Sequence, residues 1–173
     1  MTLDYLEDAV QAFGQLLVSR GLRVCCAESC TGGLLAGALT SVAGSSDWFD
    51  QGFVTYTNQA KIDVLNVSPD TLAHHGAVSE ETAMEMAAGA LAASPDADVA
   101  LSTTGIAGPG GATPGKPVGM VCLGAARRTP EGVVARAVTK QFQGERTQVR
   151  LDTVDFALGG MLAHLGLADV AAQ

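Results

Sequence analysis

Leu3, Leu6, Val10, Phe13, Leu16 and Leu17 recur at helical spacing, and Gly21 follows where a helix-ending glycine belongs. This pattern predicts an opening helix. "LRVCCAES" then reads as a buried strand, and "TGGLLAGALTSVAG" as a helix with a face of small residues. "GFVTYT" is a second strand, followed by a short helix "NQAKIDVLNV" that Asn58 can cap. "SPDTL" carries the Ser-Pro signature of another helix start. Ser79 opens "SEETAMEMAAGALAAS", whose acidic first turn suits a helix N-terminus and which ends just before Pro95. "DVALSTT" is a third strand. It runs into "GIAGPGGATPGKPVG", a long loop of Gly and Pro. "VGMVCLGAAR" and "VVARAVTKQF" flank the turn "TPEG" and predict an antiparallel hairpin. A last helix starts near Glu145, with Leu151, Val154, Leu158, Met161, Leu162 and Leu165 on one face. Helices alternating with strands, then a hairpin, predict an α/β fold whose mixed sheet is covered on both faces.

Composition narrows the class. The 173 residues suffice for one domain, 47% of them are hydrophobic and only 5% are aromatic, so small and aliphatic side chains should fill the core. A net charge of −8 argues against a nucleic-acid partner or an anionic membrane surface, while leaving room for a local basic pocket. No apolar run has membrane-span length, and the N-terminus lacks a signal-peptide pattern, so a cytoplasmic protein is expected. Cys25, Cys26, Cys30 and Cys122 are then expected to be reduced.

Ligands of open α/β sheets bind where strand C-termini meet helix N-termini. Three such junctions here carry unusual chemistry: "AESCTGG", "TYTNQAK" and "STTGIAGPGG". Ser29 lies between strand and helix. It can be an N-cap or a nucleophile beside free amides aimed at an oxyanion. It is no G-x-S-x-G elbow, because Ala27 and Thr31 stand at the glycine positions. A serine nucleophile needs a base, and His74, His75 and His164 fall outside the junctions. Lys61, in the first turn of its helix, is the alternative, since a positive helix end and burial both favour neutral lysine. Tyr56 can complete a Ser-Lys-Tyr set, or be a core aromatic with Lys61 a surface lysine. Cys30, at the helix start, is a rival nucleophile. Cys25 and Cys26 are adjacent on a strand, point to opposite faces and read, with Cys122, as core residues. No Cys/His spacing suits a metal. "GGATPGK" fits the start of a P-loop, but Pro117 replaces the Ser/Thr and a strand follows. What remains is Thr103, Thr104 and a run of amides from Gly105 through Gly108 and Gly110 to Gly111, able to form an anion nest with Arg146 as partner.

The blocks "AESCTGGLLAGALTSVAGSSDWF", "GFVTYTNQAKIDVLNV", "GAVSEETAMEMAAGAL", "STTGIAGPGGATPGKPVGMVCLG" and "GERTQVR" resemble the CinA C-terminal family, also known as nicotinamide-nucleotide amidohydrolase or NMN deamidase. The resemblance runs over nearly the whole chain. It implies a single three-layer α/β/α domain over residues 1–173 with a mixed, mostly parallel five-stranded sheet, and no N-terminal pyrophosphatase-like domain. It also implies hydrolysis of nicotinamide mononucleotide (NMN) to nicotinate mononucleotide and ammonia, without metal or cofactor, in pyridine nucleotide recycling. The family's catalytic serine, tyrosine and lysine map onto Ser29, Tyr56 and Lys61. On this basis the amides of Cys30 and Thr31 are expected to form the oxyanion hole. The glycine loop and Arg146 should hold the 5′-phosphate, with Thr104 near the ribose or base. Relatives are often dimeric, so a homodimer is expected. The alternatives are a silent nucleotide-binding module and thiol chemistry at Cys30.

Overall fold

A computed structural model describes residues 6–168. The chain runs α1 (Glu7–Arg20), β1 (Val24–Glu28), α2 (Leu34–Leu39), β2 (Phe49–Val54), α3 (Asn58–Leu65), α4 (Pro69–His75), α5 (Glu80–Ala93), β3 (Val99–Gly105), β4 (Met120–Thr129), β5 (Gly132–Gln141) and α6 (Arg146–Gly159). The sheet order is β2-β1-β3-β4-β5. β1 pairs in parallel with both β2 and β3, whereas β3–β4 and β4–β5 are antiparallel. The sheet is therefore parallel at one end and antiparallel at the other. All five residues of β1 are buried, as expected of a central parallel strand covered on both faces.

The two covering layers have separate cores. Leu6, Val10, Phe13 and Leu17 from α1 and its entry pack with Leu35 and Leu39 of α2 and Val154 and Leu158 of α6. Leu65 and Val67 pack with Met86, Ala87, Ala90 and Leu91 of α5 on the other face. Cys26 belongs to the first core and Cys25 to the second, the alternation a strand imposes. Gly21 ends α1 in the left-handed conformation with φ 63°, Ser79 caps α5 by accepting from the Thr82 amide, and Ser68 with Pro69 opens α4. Leu3 lies outside the described residues.

Three boundaries differ from the sequence-based expectation. The helix expected from Thr31 starts only at Leu34, because Gly32 and Gly33 have φ 57° and 100°, which a right-handed helix cannot use. α3 is capped by Thr57, whose side chain accepts from the Ala60 amide, so Asn58 is the first helical residue and not the cap. The last regular helix stops at Gly159, although Met161 and Leu165 remain buried beyond it and Leu162 partly so.

This topology decides where a site can form. From the interior strand β1 the chain crosses one face through α2 to β2, then returns over the other face to β3. The C-terminal ends of β1, β2 and β3 thus meet, with Glu28 paired to Val54 on one side and to Thr103 on the other. The three chemically unusual junctions become neighbours at one edge of the sheet.

Candidate active site

The turn after β1 is held by Glu28. Its buried carboxylate accepts from the Thr31 hydroxyl (2.5 Å) and from the Gly33 (3.0 Å), Leu35 (3.0 Å) and Ala36 (2.8 Å) amides. Glu28 therefore caps α2, a role open to Ser29 in the sequence. Freed of it, Ser29 donates its amide to the Thr103 carbonyl (2.9 Å) and directs its hydroxyl elsewhere.

That hydroxyl meets Lys61. Nζ of Lys61 lies 2.9 Å from Ser29 Oγ, 2.9 Å from the Thr55 carbonyl and 3.3 Å from the Tyr56 carbonyl. Lys61 is 1% exposed, and among the described residues no carboxylate pairs with it. Burial lowers its pKa below the ordinary lysine value. Its first-turn position on α3, set by the Thr57 cap, aims the side chain back over the helix start toward β1.

Tyr56 is placed differently from both sequence-based expectations. It follows β2 rather than lying on it, and its side chain is 56% exposed, so it is no core aromatic. Its main-chain carbonyl faces Ser29 and Lys61, while its phenol oxygen accepts from Arg146 Nη2 (3.0 Å). The phenol is thus tied to Arg146, not to the serine–lysine pair. Arg146 also donates through Nη1 to the Gly108 carbonyl (2.8 Å), joining α6 to the glycine loop.

Ser29, Cys30, Tyr56, Lys61, Thr104 and Arg146 line a cleft of about 250 Å³ together with Gly105, Gly108, Gly110 and Gly111. Of the anticipated site residues only Thr31 is absent from its wall. Thr31 is fully buried, and its hydroxyl bridges Glu28 and Thr103 (2.7 Å). Thr104 spends its hydroxyl on the Ala77 carbonyl (2.7 Å), so it fixes the opposite wall rather than presenting a free donor. No acidic residue lines the cleft, so this acidic protein has a basic pocket. A wider depression of about 680 Å³, between α1 and residues 41–48, holds no lysine, histidine or cysteine.

Two sets of amides face no protein acceptor among the described residues. From Ser29 to Ala36, every amide is spent except those of Cys30 and Thr31. In the glycine loop, the amides of Ala107, Gly108, Gly110 and Gly111 are also unspent. The first set sits beside a nucleophile, the second beside a guanidinium. The Cys30 thiol is a poor rival: burial pushes its pKa up to about 12, overriding any help from a helix start. The P-loop reading also stays excluded, since Thr113 and Lys116 close a small turn and Lys116 donates to the His75 carbonyl. Among the described residues no three His, Cys, Asp or Glu side chains gather as a metal set would need.

The match to the family model for the CinA C-terminal domain spans residues 6–165. The chain belongs to the CinA C-terminal domain family. Nicotinamide-nucleotide amidohydrolase PncC of Escherichia coli K12 is 48% identical over 158 residues, which are 91% of this chain and 93% of that protein. A CinA-like protein of Chloroherpeton thalassium is 59% identical over 133 residues, 77% of this chain. The chain spans about a third of the length of such CinA-like relatives. The crystal structure of competence/damage inducible protein CihA from Agrobacterium tumefaciens superposes with a TM-score of 0.83 at 48% identity, covering 93% of this chain and 95% of that one. The CinA fold is thus shared along with the sequence.

Two residues of this CinA domain site escaped sequence reasoning. Glu28 caps from a strand position, outside the usual capping window. Arg150 reaches the site from a residue 120 positions away, with Nε on the Cys30 carbonyl (3.1 Å) and Nη2 on the Thr31 carbonyl (2.8 Å).

Proposed function

We propose that this protein hydrolyses NMN to nicotinate mononucleotide and ammonia, with Ser29 as nucleophile and Lys61 as base. The observation that carries this reading is the 2.9 Å contact between Ser29 Oγ and a buried lysine that has no acidic partner among the described residues. A carboxamide is a poor electrophile with a poor leaving group, so it needs an oriented nucleophile, an oxyanion site and a proton donor. Neutral Lys61 takes the Ser29 proton as Oγ attacks the carboxamide carbon. The negative charge that develops on the carbonyl oxygen is received by the unspent amide of Cys30, the one of the two whose residue lines the cleft. Lys61 then returns its proton to the nitrogen, and ammonia leaves. Water, activated by the same lysine, opens the resulting ester and frees Ser29.

The carbonyls of Thr55 and Tyr56 hold Lys61 against Ser29, so Tyr56 serves this pair through its main chain. Its phenol orients Arg146 across the cleft. Arg146 and the unspent amides of the glycine loop take the 5′-phosphate, and Thr104 shapes the wall beside the ribose. The same reading places the reaction in pyridine nucleotide recycling in the cytoplasm, where four free buried cysteines suit a reducing compartment, and in a homodimer.

The test is ammonia release from NMN by the purified protein, with nicotinate mononucleotide identified chromatographically. Stoichiometric production of both supports the proposal. Saturable NMN binding without ammonia would replace it with a silent nucleotide-binding module.

A further inference from the structure

We propose that Arg150 is a positioning residue that sets the direction of the oxyanion-binding amide of Cys30. The inference rests on the acyl-transfer reading of Ser29. Arg150 lies on α6 between Val149 and Leu151, both buried, which anchor its backbone against the sheet. Its guanidinium forks onto two consecutive carbonyls, those of Cys30 and Thr31. Among the described residues it has no carboxylate partner, so its charge is directed at this turn.

The consequence follows from peptide geometry. A trans peptide is planar, with C=O and N–H pointing in opposite directions. Fixing the Cys30 carbonyl therefore fixes the Thr31 N–H on the side away from Arg150. Fixing the Thr31 carbonyl does the same for the Gly32 N–H, which donates to the Ser29 carbonyl (3.0 Å), closes the turn and so fixes the Cys30 N–H on the opposite side of that peptide, at the cleft wall. Glu28 meanwhile takes the Gly33, Leu35 and Ala36 amides from the other end. A carboxylate gathers the later donors and a guanidinium gathers the earlier acceptors. The Cys30 and Thr31 amides are left over between them. Glycine at 32 serves the backbone of this turn, whose φ of 57° is left-handed, and a Cβ there would only touch Arg150 Nη2 at 3.4 Å. A lysine at 150 has a single nitrogen and cannot fork onto both carbonyls.

The experiment compares wild type, Arg150→Ala and Arg150→Lys on NMN, and measures inhibition by pyridine-3-boronic acid. Boron accepts Ser29 Oγ, Lys61 keeps the serine proton, and the tetrahedral adduct carries its negative charge where the oxyanion would sit. Direct loss of one oxyanion donor lowers kcat about a hundredfold to a thousandfold, so misdirecting one should cost about tenfold to a hundredfold. We expect that fall in kcat for Arg150→Ala, with KM within about threefold, weaker boronate binding in parallel, and partial recovery on adding methylguanidinium. Arg150→Lys should fall between. If Arg150→Ala does not fold, Arg150→Lys with its kcat-to-KM split and boronate affinity carries the test. Unchanged kcat and boronate affinity, or equal losses in KM and thermal stability without rescue, would overturn the inference. Wild type that binds the boronate through Ser29 in an Arg150-dependent way but leaves NMN intact would overturn the proposed substrate and leave the positioning role standing.

Discussion

Replacing Glu28 by Gln changes little in shape but much in hydrogen bonding. Oε2 serves three donors (Thr31 Oγ1 and the Gly33 and Leu35 amides), so the glutamine carbonyl will take that side. Its NH₂ then faces the Ala36 amide, which loses its acceptor. An unpaired amide there costs about 1–3 kcal/mol, and each of the three surviving bonds drops from a charge-assisted to a neutral one, about 1 kcal/mol apiece. Relief from burying a carboxylate offsets part of this, leaving a net loss of about 2–4 kcal/mol. That is a large share of the roughly 5–15 kcal/mol that stabilises a domain of this kind. Urea unfolding followed by the fluorescence of Trp48, which is 4% exposed and packs edge-on against Phe13, reads the loss directly. Turnover should fall as well, with kcat affected more than KM, because the same turn presents Ser29 and its neighbouring amides. A stability change below about 0.5 kcal/mol, the range of surface substitutions, would refute the view that Glu28 holds this turn.

Burial holds Lys61 below the ordinary lysine pKa, so kcat/KM for NMN should rise with pH through that lowered value and level off before the ordinary lysine range. Between the lowered folded value and the unfolded one, the unfolded chain binds more protons, so Lys61's contribution to stability rises with pH; Lys61→Met should be inactive and gain stability relative to wild type as pH falls through that window, measured by urea titration. Tyr56→Phe should keep the pH profile and kcat within a few-fold but raise KM for NMN, since its phenol touches Arg146 and not Lys61; loss of the lysine pKa from the profile would put the phenol back in the serine–lysine pair. Arg146→Ala should cost about 2 kcal/mol in kcat/KM on NMN and much less on nicotinamide riboside, which has no phosphate to lose, and equal losses on both would remove Arg146 from the phosphate site.

Much of this architecture was legible in the sequence because its signals are local. The Gly21 stop, the Ser79 and Ser68-Pro69 starts and the TPEG turn each act within a few residues. Ser29 and Lys61 could also be expected near one another, since the strand ends of a parallel sheet converge. What stayed hidden depends on side chains acting over distance. Glu28 caps α2 from within a strand, which is why the sequence left Ser29 open as either cap or nucleophile. The Gly32-Gly33 pair was the visible clue that the helix begins later. Thr57 and Asn58 are both good caps, and their order is decided by where β2 ends. The neighbourhood of Tyr56 and Lys61 was legible, but which of the two Tyr56 oxygens faces Lys61 depends on the backbone turn after β2. Arg150 was one arginine on a polar helix face, and only packing of α6 beside α2 brings it to the turn.

Ammonia release from NMN, measured side by side for wild type, Ser29→Ala and Cys30→Ser at matched folded concentration, tests the central claim most directly. The account predicts loss of at least about a thousandfold for Ser29→Ala, the scale of removing an activated nucleophile, and retention of most activity by Cys30→Ser. Near-normal turnover by Ser29→Ala, or its loss in Cys30→Ser alone, would contradict it.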